Sequence, residues 1–361
     1  MDSKKGMLAV GGVVGLISVL LVVTGNPVNM GFCIACFVRD IAGAVGMHRA
    51  DVVQYARPEV MGLVLGAFVM AKVRGEFAPK GGSSPFIRFF LGALMMIGAL
   101  VFLGCPLRMV LRLAGGDLNA LPALGGFVVG IGIGIYFLNN GFNLKRNFTL
   151  AKPEAYAFPF LNLLLLVLLV VFPGVLFVSE SGPGSMQAPI LIALAAGLVV
   201  GALAQRTRLC TMGGLRDIVL FRDHYLFLGF LGIFLVSLVG NIATGNFTLG
   251  FEGQPVAHTE SLWNFMGMVV VGFSAVLLGG CPLRQLILAA EGNTDSAITV
   301  MGLLVGAAFA HNMSLASSPA GATPNGKIVV LASLVIMTVI AYFNSELVGQ
   351  EEKGGVKVEQ N

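Results

Sequence analysis

The 361 residues carry 22 Lys and Arg against 18 Asp and Glu, a net charge of +4, with 56% hydrophobic and only 11% charged residues. Mean hydropathy is +0.89, which takes the chain out of the soluble range and into the integral membrane class. Its basic residues are scattered between apolar spans and form no face suited to a nucleic-acid backbone. No Gly-x-x-x-x-Gly-Lys-Ser/Thr loop offers direct ATP coupling.

Along the chain, the polar start Met1-Asp2-Ser3-Lys4-Lys5-Gly6 runs into an apolar stretch to Val23. That stretch is longer than a signal core, and Thr24-Gly25-Asn26-Pro27 is a poor cleavage site, so the sequence predicts an uncleaved first helix. Apolar runs predict ten spans, at 7–23, 59–73, 86–103, 121–138, 159–178, 189–204, 225–243, 262–279, 297–313 and 327–343. Between spans lie Cys33-Ile34-Ala35-Cys36-Phe37-Val38-Arg39-Asp40, Gly104-Cys105-Pro106-Leu107-Arg108, Cys210-Thr211-Met212-Gly213-Gly214-Leu215-Arg216-Asp217 and Gly280-Cys281-Pro282-Leu283-Arg284. The stretches 74–85, 143–158, 179–188 and 316–326 read as surface connections, and the tail after Ser345 as polar and disordered.

The Gly-Cys-Pro-Leu-Arg peptides are identical and 176 positions apart, and the other two motifs match each other as well. Four of the five cysteines therefore occupy equivalent places in two copies of one unit. The expected architecture is all-α and polytopic, with a first repeat over 1–178, a second over 179–345 and a polar cytoplasmic tail over 346–361. Gly126 and Gly130 correspond to Gly302 and Gly306 at the same offset, which marks close helix contacts.

The cysteine segments are short, apolar and broken by Gly, Pro, Arg or Asp, as re-entrant half-helices are. If they dip in and return, each half has five spans, and the odd number inverts the second copy. With the N-terminus cytoplasmic, 16 basic residues fall inside. Arg39, Arg49, Arg57, Arg108, Arg112 and Lys327 fall outside. That bias favours cytoplasmic termini.

Proline favours the first helical position, so Cys105 and Cys281 read as N-cap residues. A helix N-terminus offers free N–H groups and partial positive charge, which suits an anion and a reactive thiol. Arg108 and Arg284, one turn on, either add charge to that site or pair with a buried carboxylate, for which Asp117 and Glu291 are the candidates. The Arg39-Asp40 and Arg216-Asp217 pairs either neutralise partners and fix their loops or contact the ligand. Cys36 has Gly213 as its counterpart, so Cys33-x-x-Cys36 occurs in one half only and could form a redox pair. The four histidines, His48, His224, His258 and His311, share no metal-like spacing with the cysteines, so neither a metal nor another cofactor is expected.

At these motifs the chain resembles the YeeE/YedE family of bacterial sulphur-compound transporters, most of all the YedE branch proposed for selenium metabolism. The resemblance covers about residues 7–343. It implies an hourglass-shaped inner-membrane permease, not an enzyme, in which Cys33, Cys105, Cys210 and Cys281 line the path of a small sulphur or selenium anion such as thiosulfate. Arg39, Asp40, Arg108, Arg216, Asp217 and Arg284 are the expected supporting residues, and a cytoplasmic sulphur- or selenium-carrier protein is a conceivable partner beside the lipid bilayer. One departure is that Arg206 and Arg208 precede Cys210 where the first copy has Asn26, Asn29 and Met30 before Cys33. The competing reading is a membrane thiol oxidoreductase using Cys33 and Cys36 with a quinone.

Overall fold

A computed structural model describes residues 3–347, so the expected tail over 346–361 lies almost entirely outside the described residues. The chain folds as α1 (Lys4–Val23), α2 (Ile34–Ala44), α3 (Pro58–Val73), α4 (Pro85–Phe102), α5 (Pro106–Ala114), α6 (Ala120–Asn139) and α7 (Lys152–Val171). It continues as α8 (Ile190–Thr207), α9 (Thr211–Phe221), α10 (Tyr225–Ala243), α11 (Ser261–Leu278), α12 (Pro282–Ala290), α13 (Thr294–Asn312) and α14 (Pro324–Phe343). Among the described residues, strands are confined to β1 (Lys80–Gly81) and β2 (Phe148–Thr149), a two-residue antiparallel clip between loops. The protein is thus an all-helical, polytopic membrane protein.

Among the described residues, nine helical segments are long and apolar enough to cross a membrane. The expected tenth span, 59–73, is α3, whose 16 residues extend about 24 Å at 1.5 Å per residue and fall just under the usual spanning length. The connection expected over 143–158 is also shorter than expected, because α7 already begins at Lys152 with Pro153 in its first turn.

Helix order repeats. The long, short, long, long, short, long, long series of α1 to α7 recurs in α8 to α14, with the two short helices at 11 and 9 residues in both series. Packing exchanges the two series: α3 lies along α8 as α10 lies along α1, α4 lies along α13 as α11 lies along α6, and α4 and α11 lie against each other. The segment from α11 to α12 is the most enclosed, whereas α7, α10 and α14 turn most of their surface outward. Outward apolar side chains such as Leu191, Val239 and Val335 are what a lipid-facing surface requires.

Small residues set these crossings. A Cβ on Gly302 would stand 2.1 Å from the Phe89 carbonyl oxygen, and one on Gly126 2.0 Å from that of Phe265. Both are backbone atoms that no rotamer change can move. Gly302→Val is therefore expected to destabilise the protein by about 1–3 kcal/mol or more, read as a lower melting temperature and a lower yield of monodisperse protein in detergent. Unchanged behaviour would mean that α4 and α13 can separate freely.

Candidate functional site: two thiol clusters at helix N-termini

Each cysteine motif breaks the path of the chain. Leu103, at φ 66°, ends α4 in the left-handed region, and Gly279, at φ 76°, ends α11 in the same way. The first costs a non-glycine residue about 1 kcal/mol. After each break, Cys105 and Cys281 adopt extended N-cap conformations, with Pro106 and Pro282 opening the short helix. The expected helix starts are therefore observed.

A buried helix break leaves carbonyls without partners, and the short helices supply the missing donors. Arg112 Nη1 donates to Phe102 O at 2.9 Å, and Arg108 Nη1 donates to Leu103 O. In the second copy Gln285 Nε2 donates to Leu278 O at 3.1 Å. Arg112 and Gln285 were not singled out as site residues by sequence reasoning; a polar side chain on a largely apolar short helix, in the last turn for Arg112 and one turn in for Gln285, is the signal that could have found them.

Cys33 and Cys210 are also N-cap residues, a role the sequence left unread. Their sulphurs accept the N–H of Cys36 (3.3 Å) and Gly213 (3.4 Å), three residues on. Sulphur here takes the place of the hydroxyl or carboxylate oxygen usual at this position.

Packing then brings the motifs of each half together. Cys33 Sγ lies 4.0 Å from Cys105 Sγ, and Cys210 Sγ lies 3.7 Å from Cys281 Sγ. Cys36 Sγ joins the first cluster, 2.7 Å from Cys33 Sγ. All five cysteines are free thiols and all are buried. Two helix N-termini converge on each cluster, so unpaired N–H groups and partial positive charge surround polarisable sulphur. Such an arrangement can hold a soft anion. Among the described residues no group of three His, Cys, Asp or Glu side chains is placed to hold a metal ion.

The arginines divide unevenly. Arg39 and Arg57 both bind Asp40, at 2.7 and 2.8 Å, with all three side chains buried, and Arg216 binds Asp217 at 2.7 Å. In both motifs the Arg-Asp pair closes on itself, and in the first Arg57 reaches Asp40 from the start of α3. Arg284 pairs with Glu291 at 3.1 Å, as expected. Arg108 does not pair with Asp117: that carboxylate binds Arg112 at 2.6 Å and accepts from Asn119 N and Nδ2, each at 2.9 Å. Gly116, at φ +90°, reverses the chain and delivers Asp117 to the arginine at the end of α5 rather than the one at its start. Arg108 instead donates to the carbonyls of Asn29, Leu103 and Val256, and its Nη1 lies 3.5 Å from Cys36 Sγ.

Four of the six basic residues assigned to the outer side, Arg39, Arg57, Arg108 and Arg112, are buried within the fold. They are therefore not loop charges. A cavity of about 550 Å³ is lined by Lys4, Arg74, Arg206 and Arg208 with Glu76 and Asp223. A hydrogen bond from the Gln205 amide, reinforced by Arg74, holds the Glu76 carboxyl below its ordinary range. Arg208, which lines the cavity, is two residues before Cys210 in the chain.

Comparison with known proteins places this arrangement. A family model described as sulphur transport matches residues 3–106 and 206–345, which together make up more than half of the chain and contain all five cysteines. A thiosulfate transporter, TsuA of Spirochaeta thermophila, is 30% identical over 103 residues, 28% of this chain and 31% of the relative. That alignment spans less than a third of the relative's length. With a sulphur-transport match running through both thiol clusters, the chain belongs to the YeeE/YedE sulphur transport family.

Proposed function

We propose that the protein is an inner-membrane permease that imports a small sulphur- or selenium-containing anion of the thiosulfate type, along a path lined by Cys33, Cys105, Cys210 and Cys281. The observation that carries this reading is the pairing of one thiol from each motif at converging helix N-termini, once in each half. Thiols donate weakly and are polarisable, which suits a soft chalcogen atom, and helix N-termini suit its charge. Arg108, Arg284 and the ion-paired Arg39–Asp40 and Arg216–Asp217 support the path from its sides.

The two helix series, 1–178 and 179–345, act in this reading as inverted repeats with re-entrant half-helices and cytoplasmic termini. The exchange of packing partners between them supports it. Under that topology the basic cavity lined by Arg206 and Arg208 faces the cytoplasm, where it suits the departing anion or a cytoplasmic sulphur- or selenium-carrier protein. Reporter fusions in the 252–260 and 145–152 loops are expected to mark opposite compartments, outside and inside respectively. The same compartment for both would end the inverted model.

Uptake of labelled thiosulfate, selenite and selenide by proteoliposomes containing only this protein tests the function and ranks the substrates. Saturable uptake of at least one of them without added electron carriers is expected. No uptake of any, together with quinone-dependent thiol oxidation, would favour the oxidoreductase instead.

A further inference from the structure

The proposed path takes one cysteine from each motif and leaves Cys36 unused. Cys36 Sγ lies 2.7 Å from Cys33 Sγ, and Cys33 Sγ lies 4.0 Å from Cys105 Sγ, so three thiols share one buried site. In the second half Gly213 stands at the Cys36 position and Cys210 faces Cys281 alone. The cation is just as lopsided. Arg108 is fully buried, and among the described residues no carboxylate is within ion-pair distance of it, whereas its counterpart Arg284 is neutralised by Glu291. The nearest non-carbonyl partner of the Arg108 guanidinium is Cys36 Sγ, at 3.5 Å. A dithiol with an uncompensated guanidinium beside one sulphur is arranged for more than passage: it can split a sulphane-sulphur anion and hold the anionic fragment that leaves.

We propose that Cys33 and Cys36 reduce the sulphane sulphur of a thiosulfate-class anion, with Cys36 as nucleophile and Arg108 binding the departing sulfite. This inference rests on the substrate class proposed above and adds a reaction to it. Cys36 Sγ gives up its proton and bonds to the terminal sulphur of the anion. The bond from that sulphur to the sulfonate sulphur breaks, and sulfite leaves with the electron pair, its charge met by Arg108. Cys36 is left as a persulfide. Cys33 Sγ, already in contact, then attacks Cys36 Sγ; the persulfide bond breaks, hydrosulfide leaves, and a Cys33–Cys36 disulfide remains. Two electrons pass from the two thiols to the sulphane sulphur, and the two thiol protons end on sulfite and sulfide. The substrate itself is the oxidant. One round occurs per chain until an external thiol reductant reopens the disulfide.

The second half lacks this arrangement. Cys210 and Cys281 are 3.7 Å apart, but Gly213 stands where the nucleophile would be, and Arg284, the counterpart of Arg108, is already paired with Glu291. The proposed reaction is therefore assigned to the first cluster alone.

Full-length protein in detergent, reduced and then freed of reductant, is mixed with thiosulfate, and sulfite, sulfide and cysteine modification are measured. Release of one sulfite and one sulfide per chain with a Cys33–Cys36 disulfide is expected. Cys33→Ser should still release sulfite but no sulfide, and should hold one extra sulphur atom on Cys36 by peptide mass spectrometry. Cys36→Ser should release neither, and Arg108→Gln should slow sulfite release about tenfold or more while Arg108→Lys recovers part of the rate. Uptake of labelled thiosulfate by proteoliposomes without any sulfite release in detergent would overturn the reduction and leave the permease standing. Sulfite and sulfide release without uptake would do the opposite. An added sulphur on Cys33 in Cys36→Ser, with sulfite released at the wild-type rate, would overturn the assignment of Cys36 as nucleophile.

Discussion

Cys105→Ser and Cys281→Ser are each expected to lower uptake of labelled thiosulfate into proteoliposomes by about tenfold or more, at matched amounts of folded protein. Each is the N-cap residue of a short helix opened by the proline that follows it, and faces the sulphur of the other motif in its half, at 4.0 Å for Cys105 and 3.7 Å for Cys281. Serine keeps a donor at the N-cap position but replaces a large polarisable atom with a small hard one. The gap between facing groups then widens, and the match to a soft substrate atom is lost. Because serine is also a good N-cap, folding should be spared, which separates this effect from simple unfolding. Uptake within about twofold of wild type in both variants, at the precision of a 1.4 kcal/mol per tenfold scale, would take these thiols out of the path.

Arg112→Gln is expected to be the most damaging single charge substitution to stability, costing about 3–5 kcal/mol as a broken buried ion pair. Arg112 and Asp117 are both fully buried and 2.6 Å apart. Removing the guanidinium leaves an ionised carboxylate without a counterion and also strips the donor from the Phe102 carbonyl at the α4 break. Arg112→Gln with Asp117→Asn should recover most of the loss, because the buried charge then disappears from both sides. Arg108→Gln should behave differently. No carboxylate depends on Arg108, so yield should hold while uptake falls. Melting temperatures in detergent for the three proteins, set beside their uptake rates, check this. Equal loss of stability in Arg108→Gln and Arg112→Gln would mean that carbonyl donation, not ion pairing, is what the two arginines supply.

The smaller contrast between Arg284 and Arg108 follows from the same distances. Arg284→Gln strands Glu291, whose side chain is only 15% exposed, and should lower yield. That is an effect the expected equivalence of the two arginines would not separate.

Much was decided by local sequence. Proline after Cys105 and Cys281 can only open a helix, not continue one, so the two half-helix starts follow from the dipeptide itself. Cys33 and Cys36 are three residues apart, so a helix beginning at Ile34 holds both at its N-terminus. Gly126, Gly130, Gly302 and Gly306 mark the crossings because only a missing Cβ lets backbone carbonyls come within 2.0–2.6 Å of that position. Apolar runs gave nine spanning segments and α3, since hydrocarbon thickness acts on each helix separately.

Tertiary structure decided which group meets which. Cys33 and Cys105 are 72 residues apart, and no local rule brings their sulphurs within 4.0 Å; that distance depends on how α2 and α4 pack. Arg108 and Arg112 sit one turn apart on α5, and only Arg108 is read from the sequence as a partner for Asp117. The left-handed turn at Gly116 awards the carboxylate to Arg112, and Arg108 is left facing Cys36. Arg57, which the sequence placed among loop charges, is drawn inside to complete Asp40. In each case the chain carried the charges and the thiols at fixed positions, while their pairing came from long-range packing, because an ion pair or a thiol contact depends on distance in space and not on separation along the sequence.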